Sequence, residues 1–183
     1  MDESYPRLVG DIGGTHARWA WLPHAGAPLQ QVQVQPCARS ASLLDSARDY
    51  LAANRLAQPR AAAIGIATPV TGDEVRMTNQ PWRFSISELQ RALGVDRCLV
   101  INDFTALALA LPVLGADEVR PVGRGTAVDG APIGLLGPGT GLGVSGLLPA
   151  PGGGFVTLSG EGGHVTLAAT DDRESAVLAL LRQ

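Results

Sequence analysis

The sequence predicts an α/β fold: a mixed sheet flanked by helices, followed by the beginning of a second α/β lobe. Three observations lead there. Three strand-like segments open the chain. Helical and strand patterns then alternate. After a break rich in Gly, Pro and charge at 114–132, glycine-separated strands resume. The boundaries that follow are 1–112 for a small lobe and 113–183 for the start of a larger one.

"RLVGD" (7–11) reads as a buried strand, and "ARWAWLP" (17–23) as a second. "QQVQVQP" (30–36) alternates strictly, as a half-exposed strand does. These three form an antiparallel meander. "SASLLDSARDYLAANRLA" (40–57) places Leu43, Leu44, Ala47, Tyr50 and Leu51 on one helical face. "AAAIGIATPV" (61–70) is a buried strand. "SISELQRALG" (85–94) carries a capping box, with Ser85 as cap, Glu88 three residues on and Gly94 as the stop. "RCLVI" (97–101) reads as a strand buried on both faces, and "DFTALALALPVL" (103–114) as the helix after it. In the second lobe "IGLLG" (133–137), "LGVSGLLP" (142–149) and "GFVTLS" (154–159) are strands. "DDRESAVLALLRQ" (171–183) is a helix with Asp171 or Asp172 as cap. It ends with no capping glycine, which reads as an incomplete chain.

Composition narrows the function classes. The chain is 45% hydrophobic and 17% charged, which supports a packed core rather than disorder. Net charge is −3 with no basic cluster, so neither nucleic acid nor a membrane surface is expected as partner. All 14 basic residues are arginine, which removes a lysine-bearing Walker A loop. Any phosphate must then be held by backbone amides, arginine or a metal. Cys37 and Cys98 are isolated, making neither a zinc site nor a disulfide framework, and read as buried thiols. No apolar leader precedes "LVGD" and no apolar run is long enough to span a bilayer, so a cytoplasmic protein is expected.

Four segments carry chemistry. In "DIGGT" (11–15) a strand delivers Asp11 to a turn where Gly13 and Gly14 let a ligand approach the peptide amides. Asp11 beside a phosphate implies an intervening Mg²⁺. The plain alternative is a hairpin turn that needs two glycines. "GPGTGLG" (137–143) repeats the grammar of glycines around a threonine. It overlaps "GLGVSG" (141–146), which satisfies a dinucleotide fingerprint with Glu161 twenty residues after Gly141. No helix follows, so that fingerprint lacks its context.

"INDFTA" (101–106) sets Asn102 and Asp103 at a strand–helix junction, where open α/β sheets bind ligands and where an Asn or Asp also simply caps a helix. "SGEGGHV" (159–165) puts Glu161 and His164 on a glycine loop suited to several hydroxyls, or else forms a tight turn with an exposed histidine. In "TNQPWRFS" (78–85), Asn79 is either a ligand wall or part of a turn with Trp82 in the core. No nucleophile elbow is present, so serine hydrolysis is unsupported.

Taken in order, "LVGDIGGTHAR", "GIATPVTGDEVRMTNQPWRFS", "INDFTALALALP", "GPGTGLGV" and "SGEGGHV" resemble bacterial glucokinases of the hexokinase and actin-like ATPase superfamily. The resemblance implies an actin-like ATPase (ribonuclease H-like) lobe and a cleft that takes ATP and a sugar. It implies ATP-dependent phosphorylation of glucose at its 6-hydroxyl, with Asp103 as general base and Asn102 as a sugar ligand. Glu161 and His164 would bind further hydroxyls, with Asn79 nearby. The phosphates would lie on Gly10, Asp11, Ile12, Gly13, Gly14 and Thr15 and on Gly137, Gly139, Thr140 and Gly141. Asp11 would reach Mg²⁺, directly or through water, and a homodimer is a family expectation.

Two departures stand out. His16 occupies the place where the family commonly has asparagine, and family members are much longer. A further sugar-binding glutamate, the adenine pocket and the helix that closes the first lobe are expected beyond residue 183. The chain alone should therefore turn over slowly or not at all. Two rival readings use the same motifs. One is a ROK-type sugar kinase or regulator, which usually has a cysteine-rich zinc cluster after the E-x-G-H motif, although 165–183 holds no cysteine. The other is a non-catalytic sugar-binding module.

Overall fold

The first glycine turn joins β1 (Arg7–Ile12) to β2 (His16–Leu22), and β3 (Gln30–Pro36) completes the antiparallel meander. A computed structural model describes residues 4–138, 141–160, 162–166 and 168–183. Helix α1 (Leu43–Ala53) starts where the Ser42 hydroxyl accepts from Asp45 N at 3.1 Å. β4 (Ala61–Ile66) then returns beside β1 in parallel. A short hairpin of β5 (Glu74–Arg76) and β6 (Arg83–Ser85) leads into helix α2 (Ile86–Leu93). β7 (Arg97–Asn102) pairs with β4 in parallel and feeds helix α3 (Asp103–Ala110). The five-stranded sheet therefore runs β3–β2–β1–β4–β7. Beyond it β8 (Ile133–Pro138), β9 (Leu142–Pro149) and β10 (Phe155–Ser159) form a second, antiparallel sheet, and helix α4 (Asp172–Leu181) follows.

The helix signals in the sequence operate as expected. Ser85 Oγ accepts from Glu88 N at 3.1 Å, and Gly94 ends α2 in the left-handed region at φ 64°. Asp171 caps α4 by accepting from Glu174 N at 2.8 Å. The second half of the α2 cap comes from farther away. Asp73 Oδ1 accepts from Ser87 N at 2.8 Å, and the Asp73 carbonyl from Ile86 N at 2.9 Å. The hydrogen bond from Ser85, then that from the Ser87 amide, hold the Asp73 carboxyl below its ordinary range.

Some boundaries differ. The first helix is shorter than 40–57, and the 61–70 strand ends at Ile66. The 103–114 helix stops at Ala110 and tightens into a 3-10 turn through Pro112. The β5–β6 hairpin had no sequence signal, because three-residue strands are too short to show alternation. β7 is not buried on both faces: it is the sheet's edge, and Leu99 is 45% exposed.

One sheet face carries Leu8, Ile12, Ile64, Ile66 and Val100, packed with Leu43, Ala47 and Tyr50 of α1 and Leu89 and Leu93 of α2. Trp19 sits at its centre, fully buried. Its indole N–H donates to Ser46 Oγ at 3.0 Å, and its ring stacks on Tyr50 with centroids 6.3 Å apart. Gly10 lies beneath that ring, where a Cβ would come within 2.6 Å of it. The alternating residues of β1 and β4 face the other way, toward α3, whose Ala106 Cβ would lie 3.4 Å from a Cβ at Gly65. α3 also packs on β9 and β10, so it is the element that joins the two sheets.

Trp19 makes a direct stability test. Trp19→Ala should lower the unfolding free energy by about 3–5 kcal/mol, the usual cost of deleting a buried large aromatic. Trp19→Phe should lose distinctly less, since it keeps ring contact with Tyr50 and loses the bond to Ser46. Urea titration followed by circular dichroism measures both.

Candidate functional site

The strand–helix junction places the central carboxylate. Asn102 ends β7 and caps α3, its Oδ1 accepting from Thr105 N at 3.1 Å. Its amide nitrogen donates to Asp103 Oδ1 at 3.0 Å and to Thr68 O at 3.4 Å. Phe104 N also donates to Asp103 Oδ1, at 2.9 Å. Both bonds end on the same oxygen, Oδ1. Asn102 thus has the capping role that its position allowed.

Asp103 opens onto a hollow of ≈ 440 Å³ lined also by Gly10, Asp11, Gly65, Ile101 and Phe104. The end of β1, which leads into the first glycine turn, and the junction therefore share one cavity. Burial, and next among the raising causes the negative charge of Asp11, push the Asp103 carboxyl above its ordinary value, only partly offset by the Phe104 amide. A carboxylate made more basic in this way is a better proton acceptor.

Asp11 has a partner that motif reasoning missed. Arg18 Nη1 lies 2.9 Å from Asp11 Oδ2, and both side chains are more than half exposed. The two residues are cross-strand neighbours in the hairpin register. The register pairs Ile12 with Ala17 across residues 13–16 and so sets Arg18 opposite Asp11, one residue off what a turn at 13–15 alone would give. An exposed pair of this kind contributes about 0.2–1 kcal/mol, so an arriving cation or anion competes with it readily.

The turn residues Gly13, Gly14 and Thr15 follow Ile12, which is fully buried. Asn79 packs over Gly14: a Cβ there would lie 3.0 Å from Asn79 Cβ. The candidate sugar-side residue therefore touches the candidate phosphate turn. Trp82 is in the core, its N–H donating to Ser40 O at 3.2 Å.

The second glycine cluster has a packing reason absent from the motif. Gly137 pairs with Gly143 across β8 and β9, and the Phe104 ring fills the slot between them. A Cβ at Gly137 would come within 2.5 Å of that ring, and one at Gly143 closer still. The hairpin thereby abuts the neighbour of Asp103. Gly141 is exposed, while Gly139 and Thr140 lie outside the described residues.

Glu161 also lies outside the described residues; His164 closes a 3-10 turn at Gly162–His164 and is exposed. The strand leading there is tied to α3, with Ser159 Oγ 3.1 Å from Thr105 Oγ1. A second hollow of ≈ 310 Å³ lies at this contact, lined by Thr71, Asn102, Thr105, Thr157 and Ser159. Thr105 and Ser159 lie within "INDFTA" and "SGEGGHV", but nothing local singles them out, because their meeting depends on how α3 docks on β10.

Neither cysteine forms a disulfide; Cys37 is buried and Cys98 half-buried. Among the described residues no cluster of three His, Cys, Asp or Glu side chains could hold a metal ion. Nor is any helix there long and apolar enough to cross a membrane.

Residues 8–183 match the family model described as Glucokinase. The chain belongs to the glucokinase family. The glucokinase of Aromatoleum aromaticum is 54% identical over 180 residues, covering 98% of this chain and 54% of that protein. That of Cupriavidus pinatubonensis is 51% identical, covering 94% and 51%. The crystal structure of a glucokinase from an Antarctic psychrotroph superposes with a TM-score of 0.85 at 36% identity, over 97% of this chain and 56% of that one. The chain spans about half the length of these glucokinases. The mixed sheet with flanking helices is thus a fold this chain shares with that glucokinase structure over the part they have in common.

The raised Asp103 carboxyl has a consequence for stability. Folding favours its protonated form, so its stabilising contribution is complete below the ordinary value of 3.8. That contribution is lost as pH rises through the folded value. Asp103→Asn should therefore be at least as stable as the parent at neutral pH, with the difference closing below pH 3.8. Unfolding titrations at several pH values test this; an advantage that grew toward acid would contradict it.

Proposed function

We propose that the full-length protein containing this chain transfers the γ-phosphoryl group of ATP to the 6-hydroxyl of glucose. Asp103 accepts the hydroxyl proton. The sugar oxygen bonds to the γ-phosphorus as the bond to the bridging oxygen breaks, and ADP leaves. The observation carrying this reading is the half-buried Asp103, pinned at Oδ1 and sharing a hollow with Gly10 and Asp11 in a chain of the glucokinase family.

The other roles follow the same reading. Gly10–Thr15 and 137–141 cradle the phosphates, and Asn79, Asn102, Glu161 and His164 bind sugar hydroxyls. Residues 1–112 form the small lobe and 113–183 begin the large one. Phosphoryl transfer mainly asks a protein for positioning and charge neutralisation. In a chain without lysine, backbone amides and Arg18 are the available positive partners. Asp11 and Asp103 supply hard oxygen donors at one hollow, which fits Mg²⁺, with Asp11 the exposed one of the two. When bound there, the ion neutralises phosphate charge. A cytoplasmic location and a homodimer complete the proposal.

A coupled assay with glucose and ATP on the full-length protein tests the reading. Asp103→Asn should lower kcat by about 10²–10⁴-fold, the usual contribution of a general base. Glucose affinity by calorimetry should stay within a few-fold. A variant keeping most of its rate removes Asp103 from the chemistry.

A further inference from the structure

The turn between β1 and β2 is gripped from behind by its carbonyls. Ile12 O accepts from Ala67 N at 2.9 Å, Thr15 O from Cys37 N at 2.8 Å and His16 O from Gly13 N at 2.9 Å. The Gly13 carbonyl is held by two side chains, Gln80 Nε2 at 3.4 Å and Cys37 Sγ at 3.6 Å. Among the described residues no protein acceptor meets the amides of Gly14 or Thr15. Carbonyls drawn into the body and amides left over make a turn selective for anions.

Gln80 belongs to the hairpin that the sequence did not reveal. The loop between β5 and β6 is closed by Met77 N donating to Trp82 O at 3.0 Å, and it is rooted by the buried Trp82. At its base Thr68 Oγ1 donates to Arg76 O at 2.9 Å and lies 3.2 Å from Thr78 Oγ1. The Thr68 carbonyl receives the Asn102 amide. One short loop thus connects the junction at Asp103 with the back of the turn. It delivers Asn79 over Gly14 and Gln80 onto the Gly13 carbonyl.

We propose that Gln80 is a positioning residue of this turn: its amide holds the Gly13 carbonyl away from the ligand, keeping the Gly14 amide of the same peptide unit aimed at phosphate. The proposal deepens the ATP-dependent reading above and rests on it. Gln80 touches no substrate. Its side chain acts on the phosphate turn, whereas its neighbour Asn79 is the loop residue assigned to the sugar, so the two substrates' KM values separate the two roles.

The test uses the full-length protein with Gln80→Met, which keeps length and removes the donor, and Gln80→Glu, which replaces the donor with a charged acceptor. At 3.4 Å the bond is long, so its loss corresponds to the lower end of the range for a neutral hydrogen bond, about threefold. Gln80→Met should raise the KM for ATP by about that factor while the KM for glucose stays within twofold; Gln80→Glu should raise it more. Direct titration with ATP should show the same loss of affinity, with the urea midpoint of Gln80→Met near that of the parent. Equal rises in both KM values, or ATP affinity unchanged in Gln80→Met, would overturn the role. The titration separates the two readings. A parent protein that binds ATP but transfers no phosphoryl group rejects the kinase reading and leaves the affinity comparison in force. A parent that binds no ATP overturns both.

Discussion

The Asn102 side chain performs two tasks at once, and the site depends on both. Its oxygen satisfies an amide at the start of α3, and its nitrogen pins Asp103 and reaches back to the Thr68 carbonyl. A helix start leaves backbone amides unsatisfied, so some acceptor must stand there. Here the acceptor's other end orients the carboxylate. Helix initiation and placement of the Asp103 carboxylate are therefore the same event. Since α3 also carries Phe104 and Thr105 into the second sheet, its position fixes both the hollow and the approach of the second glycine hairpin.

Glycine serves two different purposes around this site. At the first turn, on the proposed reading, it leaves amides open to a ligand, with the carbonyls tied behind them. At Gly137 and Gly143 it makes room for an aromatic ring. The two clusters look alike as strings but answer to different forces, one electrostatic and one steric. The steric one still serves the site, because the ring it admits belongs to the residue beside Asp103. Arg18 adds a further balance: paired with Asp11 in the exposed register of a hairpin, it holds a positive charge at the rim without committing it strongly.

Much of the lobe was legible because its elements carry strong local signals. Ser85 and Gly94 bounded α2 by cap chemistry, and Asp171 did the same for α4. β3 has the limits read from "QQVQVQP", but it is not half-exposed as the alternation implied: it is an edge strand whose Val32 and Val34 are themselves exposed. The β5–β6 hairpin escaped because its strands are too short to have a period, and with it went the role of Gln80. β7 read as doubly buried because "RCLVI" is apolar; whether a strand is central or at an edge depends on its neighbours, which a local string does not record.

The sequence by itself determined which residues could do chemistry: the "DIGGT" turn, the Asn–Asp junction and the glycine loops in one chain, together with the helices whose caps are written locally. Those are short-range matters of backbone freedom, hydrogen-bond capacity and periodicity. Only the tertiary structure decided that Asp11 faces Arg18, that Phe104 fills the glycine slot, and that a distant loop supports the turn from behind. The last two contacts join residues far apart in the chain, and the Asp11–Arg18 pair follows from the β1–β2 register; all three depend on how elements pair and pack, which a local string does not record.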